Sequence, residues 1–111
     1  MLRKIILAVK AIKNLHILIL DFLGFFKRDV IYKCRNGTHI VARGGSTDYA
    51  EIIIINANSE YPSRFFPRNN RPVILDIGAH IGVFSLFIAK KLSCENPSIF
   101  ALEPSSINYS F

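Results

Sequence analysis

VILDIGAHIGVFSLFIAKKL, residues 73–92, runs from an apolar stretch through two glycines into a segment with helical spacing. Val73, Ile74 and Leu75 form the continuous apolar run that a strand needs when both of its faces are covered. Gly78 and Gly82 bracket a turn, after which Val83, Phe84, Phe87, Ile88 and Leu92 recur along one helical face. Lys90 and Lys91 follow where cations suit the negative end of a helix dipole. A second apolar stretch, IFALEP at residues 99–104, ends at Glu103 and Pro104. Strand, glycine turn, helix, strand is a βαβ unit, and the fold class it predicts is α/β with a parallel sheet.

The chemistry of such a unit lies beyond the carboxyl ends of its strands, where loops leave a crevice for ligands. Asp76 and Glu103 both fall at those ends. Glycines let backbone N–H groups come close to a ligand, and the helix N-terminus adds partial positive charge for an anionic group. Glu103 follows Gly82 at about the 20-residue interval expected of an acid that grips ribose hydroxyls. An adenosine-bearing cofactor is therefore expected. A dinucleotide would call for GxGxxG to make room for pyrophosphate, but His80 stands where the second glycine would be, and the pattern reads DxGxxxG. S-adenosylmethionine has no phosphate. Its carboxylate suits the turn's N–H groups, and its ammonium suits an acid such as Asp76. No GxxxxGK[ST] phosphate loop is present.

Upstream, VIYKCRNGTHIVAR at residues 30–43 has two alternating segments around Asn36-Gly37. That dipeptide predicts a β-hairpin closed by a two-residue type I′ turn. In residues 48–55, Asp48 and Glu51 resemble a helix-start capping pair, whereas the run Ile52–Ile55 suits a strand; the balance falls to helix. PSRFFPRNNRP, residues 62–72, reads as a connector before the βαβ unit. Residues 2–26 predict one amphipathic helix, with Arg3, Lys10, Asn14 and Asp21 near one line and a wide apolar face. Its uncharged runs are far shorter than the ~20 residues a membrane span requires. Docking of that face on the rest of the domain is expected. The alternative is contact with a membrane surface, favoured by basic residues at both ends.

The segment VILDIGAHIGVFSLFIAKKL with FALEPS, preceded by RNGTHIVARGGSTDYAEI, resembles the amino-terminal portion of the FkbM-type S-adenosylmethionine-dependent methyltransferases over about residues 30–111. The resemblance implies a Rossmann-like class I methyltransferase fold, truncated here after the second core strand. It also implies methyl transfer to a hydroxyl acceptor on a sugar or secondary metabolite. Asp76, Gly78, Ala79, His80, Gly82, Glu103 and Pro104 would surround the cofactor. His80 departs from the asparagine common at its position in the family. Arg43 and Asp48 either help to close the site or serve as a strand-end charge and a helix cap. No catalytic base is assigned. With the amphipathic helical segment at 1–28 read from its periodicity, the chain is expected to divide further into a hairpin and connector at 29–71 and, as the resemblance implies, an incomplete cofactor-binding domain at 72–111. The resemblance further implies an amino-terminal fragment that is inactive alone.

Charge and composition narrow the alternatives. Half of the 111 residues are hydrophobic, enough to build a core. Of the formal charge of +6, residues 1–28 hold +5, from six basic side chains and Asp21. The remainder is almost neutral, which argues against a nucleic-acid partner. Cys34 and Cys94 have no metal-ligand spacing and are expected to be buried thiols of a cytoplasmic protein. Two other functions compete: a non-catalytic module that docks to a membrane or partner through its first helix, and a nicotinamide-binding oxidoreductase, disfavoured by His80.

Overall fold

The computed structural model describes residues 2–57, 61–62, 64 and 66–110, except for the side chain of residue 94. The chain is α/β, with helices and two small sheets among the described residues. It divides into two compact units, Met1–Glu60 and Tyr61–Phe111.

The first unit is built on an antiparallel hairpin of β1 (Asp29–Lys33) and β2 (His39–Arg43), in register from Asp29 opposite Arg43 to Lys33 opposite His39. Alternation turns Val30, Tyr32, Ile40 and Ala42 inward. The isoleucine run is helical, in α3 (Asp48–Asn56), which packs on β2 and adds Ile52 and Ile55 to the same core. The turn departs from the type I′ expectation. Cys34 N–H donates to Thr38 C=O (2.8 Å) and Gly37 N–H to Cys34 C=O (3.1 Å), and Gly37, with φ of 90°, is the left-handed residue of a three-residue loop. The Asn36 side chain is engaged in tertiary bonds. Its Oδ1 accepts from Thr38 N–H (2.9 Å), and its Nδ2 donates to Oδ1 of Asn56 at the end of α3 (2.8 Å).

The expected single helix over residues 2–26 is two helices, α1 (Leu2–Ala11) and α2 (Leu15–Phe22). Between them the backbone pairs with the end of β1: Ile12 bridges Cys34, Lys13 N–H donates to Lys33 C=O (2.8 Å), and Arg35 N–H donates to Ala11 C=O (2.8 Å). Asn14 continues this with its side chain. Oδ1 accepts from Lys33 N–H (2.8 Å) and Nδ2 donates to Ile31 C=O (2.9 Å), so an amide group takes the place of a neighbouring strand. Helical periodicity runs through residues 12–14 without a break, and only this tertiary pairing interrupts it. The expected docking of the apolar face holds for only part of α1, which packs on α3 with Leu7 and Ala8 half-buried. Its buried residue is Ala11, whereas Leu2, Ile5, Ile6 and Val9 are exposed. In α2 the acid faces inward: Asp21, 3% exposed, accepts from the Tyr32 hydroxyl and from Gly45 N–H (2.6 Å), while Ile19 and Phe22 face solvent.

The second unit holds β3 (Val73–Ile77), α4 (Val83–Lys91), β4 (Ser98–Leu102) and the one-turn helix α5 (Ser106–Tyr109). The strands are parallel, in register from Val73 opposite Ser98 to Ile77 opposite Leu102, as the βαβ reading requires. Val83, Phe87, Ile88 and Leu92 bury one side of α4, and Tyr61 and Phe66 pack their rings against Phe84 and Phe87. These aromatic contacts explain why the division between units falls before the proline-rich connector and not after it. Val73, Leu75, Ile77, Phe100 and Leu102 share the other sheet face and are 54–76% exposed. No helix among the described residues is long and apolar enough to cross a membrane.

Candidate functional site

The site begins where β3 ends. Gly78, His80 and Gly82 have φ of 77°, 53° and 79°, so every second residue of the turn is left-handed. Glycine accepts that region freely, and His80 is the one side chain of the three held there. The turn is fastened to the end of β4, because Leu102 C=O accepts from the N–H groups of both Gly78 (2.8 Å) and Ala79 (3.0 Å). Gly82 N–H donates back to Ala79 C=O (2.8 Å) and Gly82 C=O receives Leu86 N–H (3.0 Å), starting α4. A Cβ built on Gly78 or Gly82 meets nothing within 4 Å, so open space lies beside both.

Glu103 joins the two strand ends. Its Oε2 accepts from His80 N–H (2.7 Å), and its Oε1 accepts from Ser105 N–H (2.9 Å) and from Nδ2 of Asn108 (3.4 Å). The N–H of Ser105, followed by that of His80, holds the carboxyl below its ordinary pKa. The group is therefore a carboxylate at neutral pH. Ser105 also caps α5, its Oγ accepting from Asn108 N–H (3.4 Å). Pro104 stands between the acid and that cap.

Asp76 occupies a different environment. It is 7% exposed, and its Oδ2 accepts from the Ser85 hydroxyl (2.6 Å), which ties the end of β3 to the first turn of α4. Ala79 is buried beneath the turn. Around the glycine turn the fold thus brings together Gly78, Ala79, His80, Gly82, Glu103 and Pro104, with Asp76 turned inward onto the helix. Ser85, Ser105 and Asn108 were not singled out in the sequence. For the last two the signal was Ser-x-x-Asn directly after the strand, a helix-start spacing.

Arg43 and Asp48 pair with each other in the first unit. The guanidinium donates from Nε to Oδ2 (2.9 Å) and from Nη2 to Oδ1 (2.7 Å), and Arg43 N–H adds a bond to Oδ2 (3.1 Å). Burial raises the Asp48 carboxyl, but the bonds from Arg43 outweigh it and leave the group below its ordinary range. Thr47, and not Asp48, is the N-cap of α3. Gly44 must be glycine, since a Cβ there would lie 2.3 Å from Arg28 O. Cys34 is buried, and burial pushes its thiol up to about 11. The expectation for the Cys94 thiol falls outside the described residues. Among the described residues no three His, Cys, Asp or Glu side chains cluster as metal ligands would. Comparison of the chain with family models, with curated proteins and with solved structures gave no match.

Proposed function

We propose that this chain carries the cofactor-binding start of a Rossmann-like, S-adenosylmethionine-dependent methyltransferase of the FkbM type, acting on a hydroxyl of a sugar or secondary metabolite. The observation that carries the reading is the placement of Glu103. Two backbone N–H groups orient its carboxylate at the end of one parallel strand, and one of them belongs to the glycine turn at the end of the next. Each carboxylate oxygen has two lone pairs; Ser105 and Asn108 occupy those of Oε1 and His80 one of Oε2, so one site on Oε2 remains for a ribose hydroxyl. The open space beside Gly78 and Gly82 suits a ligand laid against the turn. His80 in place of glycine speaks against a pyrophosphate there.

When bound, S-adenosylmethionine supplies an electrophilic methyl group on a sulfonium. The chain's own residues bind and orient. Glu103 holds the sugar, and, with the N–H groups of Gly78, Ala79, His80 and Gly82 engaged within the fold, the positive end of the α4 dipole suits the carboxylate of the cofactor's amino-acid end. Asp76, bonded to Ser85, fixes the helix start against the strand and adds negative charge below the turn. Acceleration by such a site rests on holding acceptor and methyl group in line. The exposed face of Val73, Leu75, Ile77, Phe100 and Leu102 is the surface that a second layer covers in a doubly wound sheet. In this reading the chain alone binds cofactor without turning over.

Isothermal titration of S-adenosylmethionine and S-adenosylhomocysteine into the 111-residue chain tests this. Saturable binding is expected. Losing the charged hydrogen bonds in Glu103→Ala should weaken it by about 10- to 100-fold. A folded chain that gives no heat, or that binds reduced nicotinamide cofactor more tightly, refutes the reading.

A further inference from the structure

Helix α1 has two apolar aspects where a helix of a globular domain needs one. Ala11 is buried in the unit, and α1 packs against α3. Leu2, Ile5, Ile6 and Val9 are 42–72% exposed. At about 100° per residue these four form a stripe roughly 100° wide, centred opposite Ala11. Arg3 and Lys10, both exposed, border it along one side. The first 28 residues contain six basic side chains and a single acid, Asp21, which is buried against Tyr32 and Gly45.

We propose that α1 lies along the surface of an anionic phospholipid bilayer, with Leu2, Ile5, Ile6 and Val9 in the acyl boundary and Arg3 and Lys10 on lipid phosphates. The inference stands apart from the cofactor reading. Charge selects the occupant. A second copy packed two-fold on the same stripe would set Arg3 and Lys10 against the same cations of its partner, with no exposed acid on α1 to answer them. A bilayer rich in anionic headgroups supplies the missing counter-charge and buries the stripe together. The ten-residue helix is about 15 Å long, half the thickness of a hydrocarbon core, so it lies in the plane and does not cross.

Flotation of the full chain with vesicles of phosphatidylcholine alone, and of phosphatidylcholine mixed with phosphatidylserine, tests the proposal at low and high salt. Binding to the mixed vesicles is expected, weakening with salt. Arg3→Gln and Lys10→Gln should each weaken it about five-fold, from the contribution of one basic residue near an anionic surface. The pair Ile5→Glu and Val9→Glu should weaken it by at least about ten-fold. Because these positions are exposed, circular dichroism should show an unchanged fold. Equal binding to neutral and anionic vesicles, no binding, or unchanged binding by the glutamate variant overturns the proposal. An oligomer in sedimentation velocity that the glutamate variant dissolves, with no vesicle binding, would overturn it in favour of a second copy.

Discussion

Replacing Arg43 with Gln removes both guanidinium bonds to Asp48, at 2.9 and 2.7 Å, and leaves a carboxylate that is 2% exposed without its counter-charge. Breaking a buried ion pair from one side costs about 3–5 kcal/mol. The Arg43 side chain is 28% exposed, so water replaces part of what is lost, and a cost of about 2–3 kcal/mol is expected. The pH dependence follows from the lowered Asp48 carboxyl. A group depressed in the folded state stabilises fully above its unfolded pKa of about 3.9, and that contribution disappears as pH falls through the lower folded value. The gap between the native chain and Arg43→Gln should therefore be full at neutral pH and shrink below about pH 4. Urea unfolding followed by circular dichroism, repeated with Asp48→Asn and with the double variant, measures both the cost and the coupling. A cost under about 0.5 kcal/mol, the level of an ordinary surface change, or a gap that does not narrow in acid, refutes the argument.

Gly44→Ala forces a Cβ to 2.3 Å from Arg28 O and 2.8 Å from Phe26 Cβ, so it should destabilise by more than about 3 kcal/mol or prevent folding. Gly24→Ala meets only the strain of φ 77° in open space and should cost about 1–2 kcal/mol; equal melting temperatures for the two variants would contradict this. In a Cys94→Ser background, Cys34 should react with iodoacetamide at pH 8 far more slowly than the same thiol in urea, because burial both shields it and raises its pKa to about 11. Equal rates would show that the thiol is accessible.

The elements most legible in the sequence were those whose signals are local. Gly78 and Gly82 announced the turn through the conformation that glycine alone accepts freely, and the apolar run before it together with the helical spacing after it gave the βαβ unit. The isoleucine run at 52–55 was ambiguous because β-branched side chains suit either element. Burial of Ile52 and Ile55 against the hairpin decides for helix. What could not be read was long-range. The break at Ile12–Asn14 exists only because β1, some twenty residues later, presents an unpaired edge. Asn36 signalled a turn correctly, but the loop has three residues, and its side chain bonds to Asn56, which lies 20 residues away. Asp21 read as one member of a polar line on a helix, and its partners, Tyr32 and Gly45, lie 11 and 24 residues away. At the candidate site, the position of Asp76 at a strand end was clear, whereas its direction is fixed by its bond with Ser85 in the first turn of α4.

The use of Asn14 as a surrogate strand bears on how this fold can grow. Its amide, with Lys13 N–H, occupies the outward C=O of Ile31 and both outward groups of Lys33. Across the hairpin, Arg43 N–H is given to Asp48, and Arg43 C=O receives the N–H (3.2 Å) and hydroxyl (2.6 Å) of Ser46. Both margins of the antiparallel pair thus have backbone groups already spoken for, which guards it against recruiting a foreign strand. Among the described residues nothing pairs with the outer edges of β3 and β4. Sheet extension, whether productive or as aggregation, is directed to the parallel pair, making one unit a finished module and the other a template.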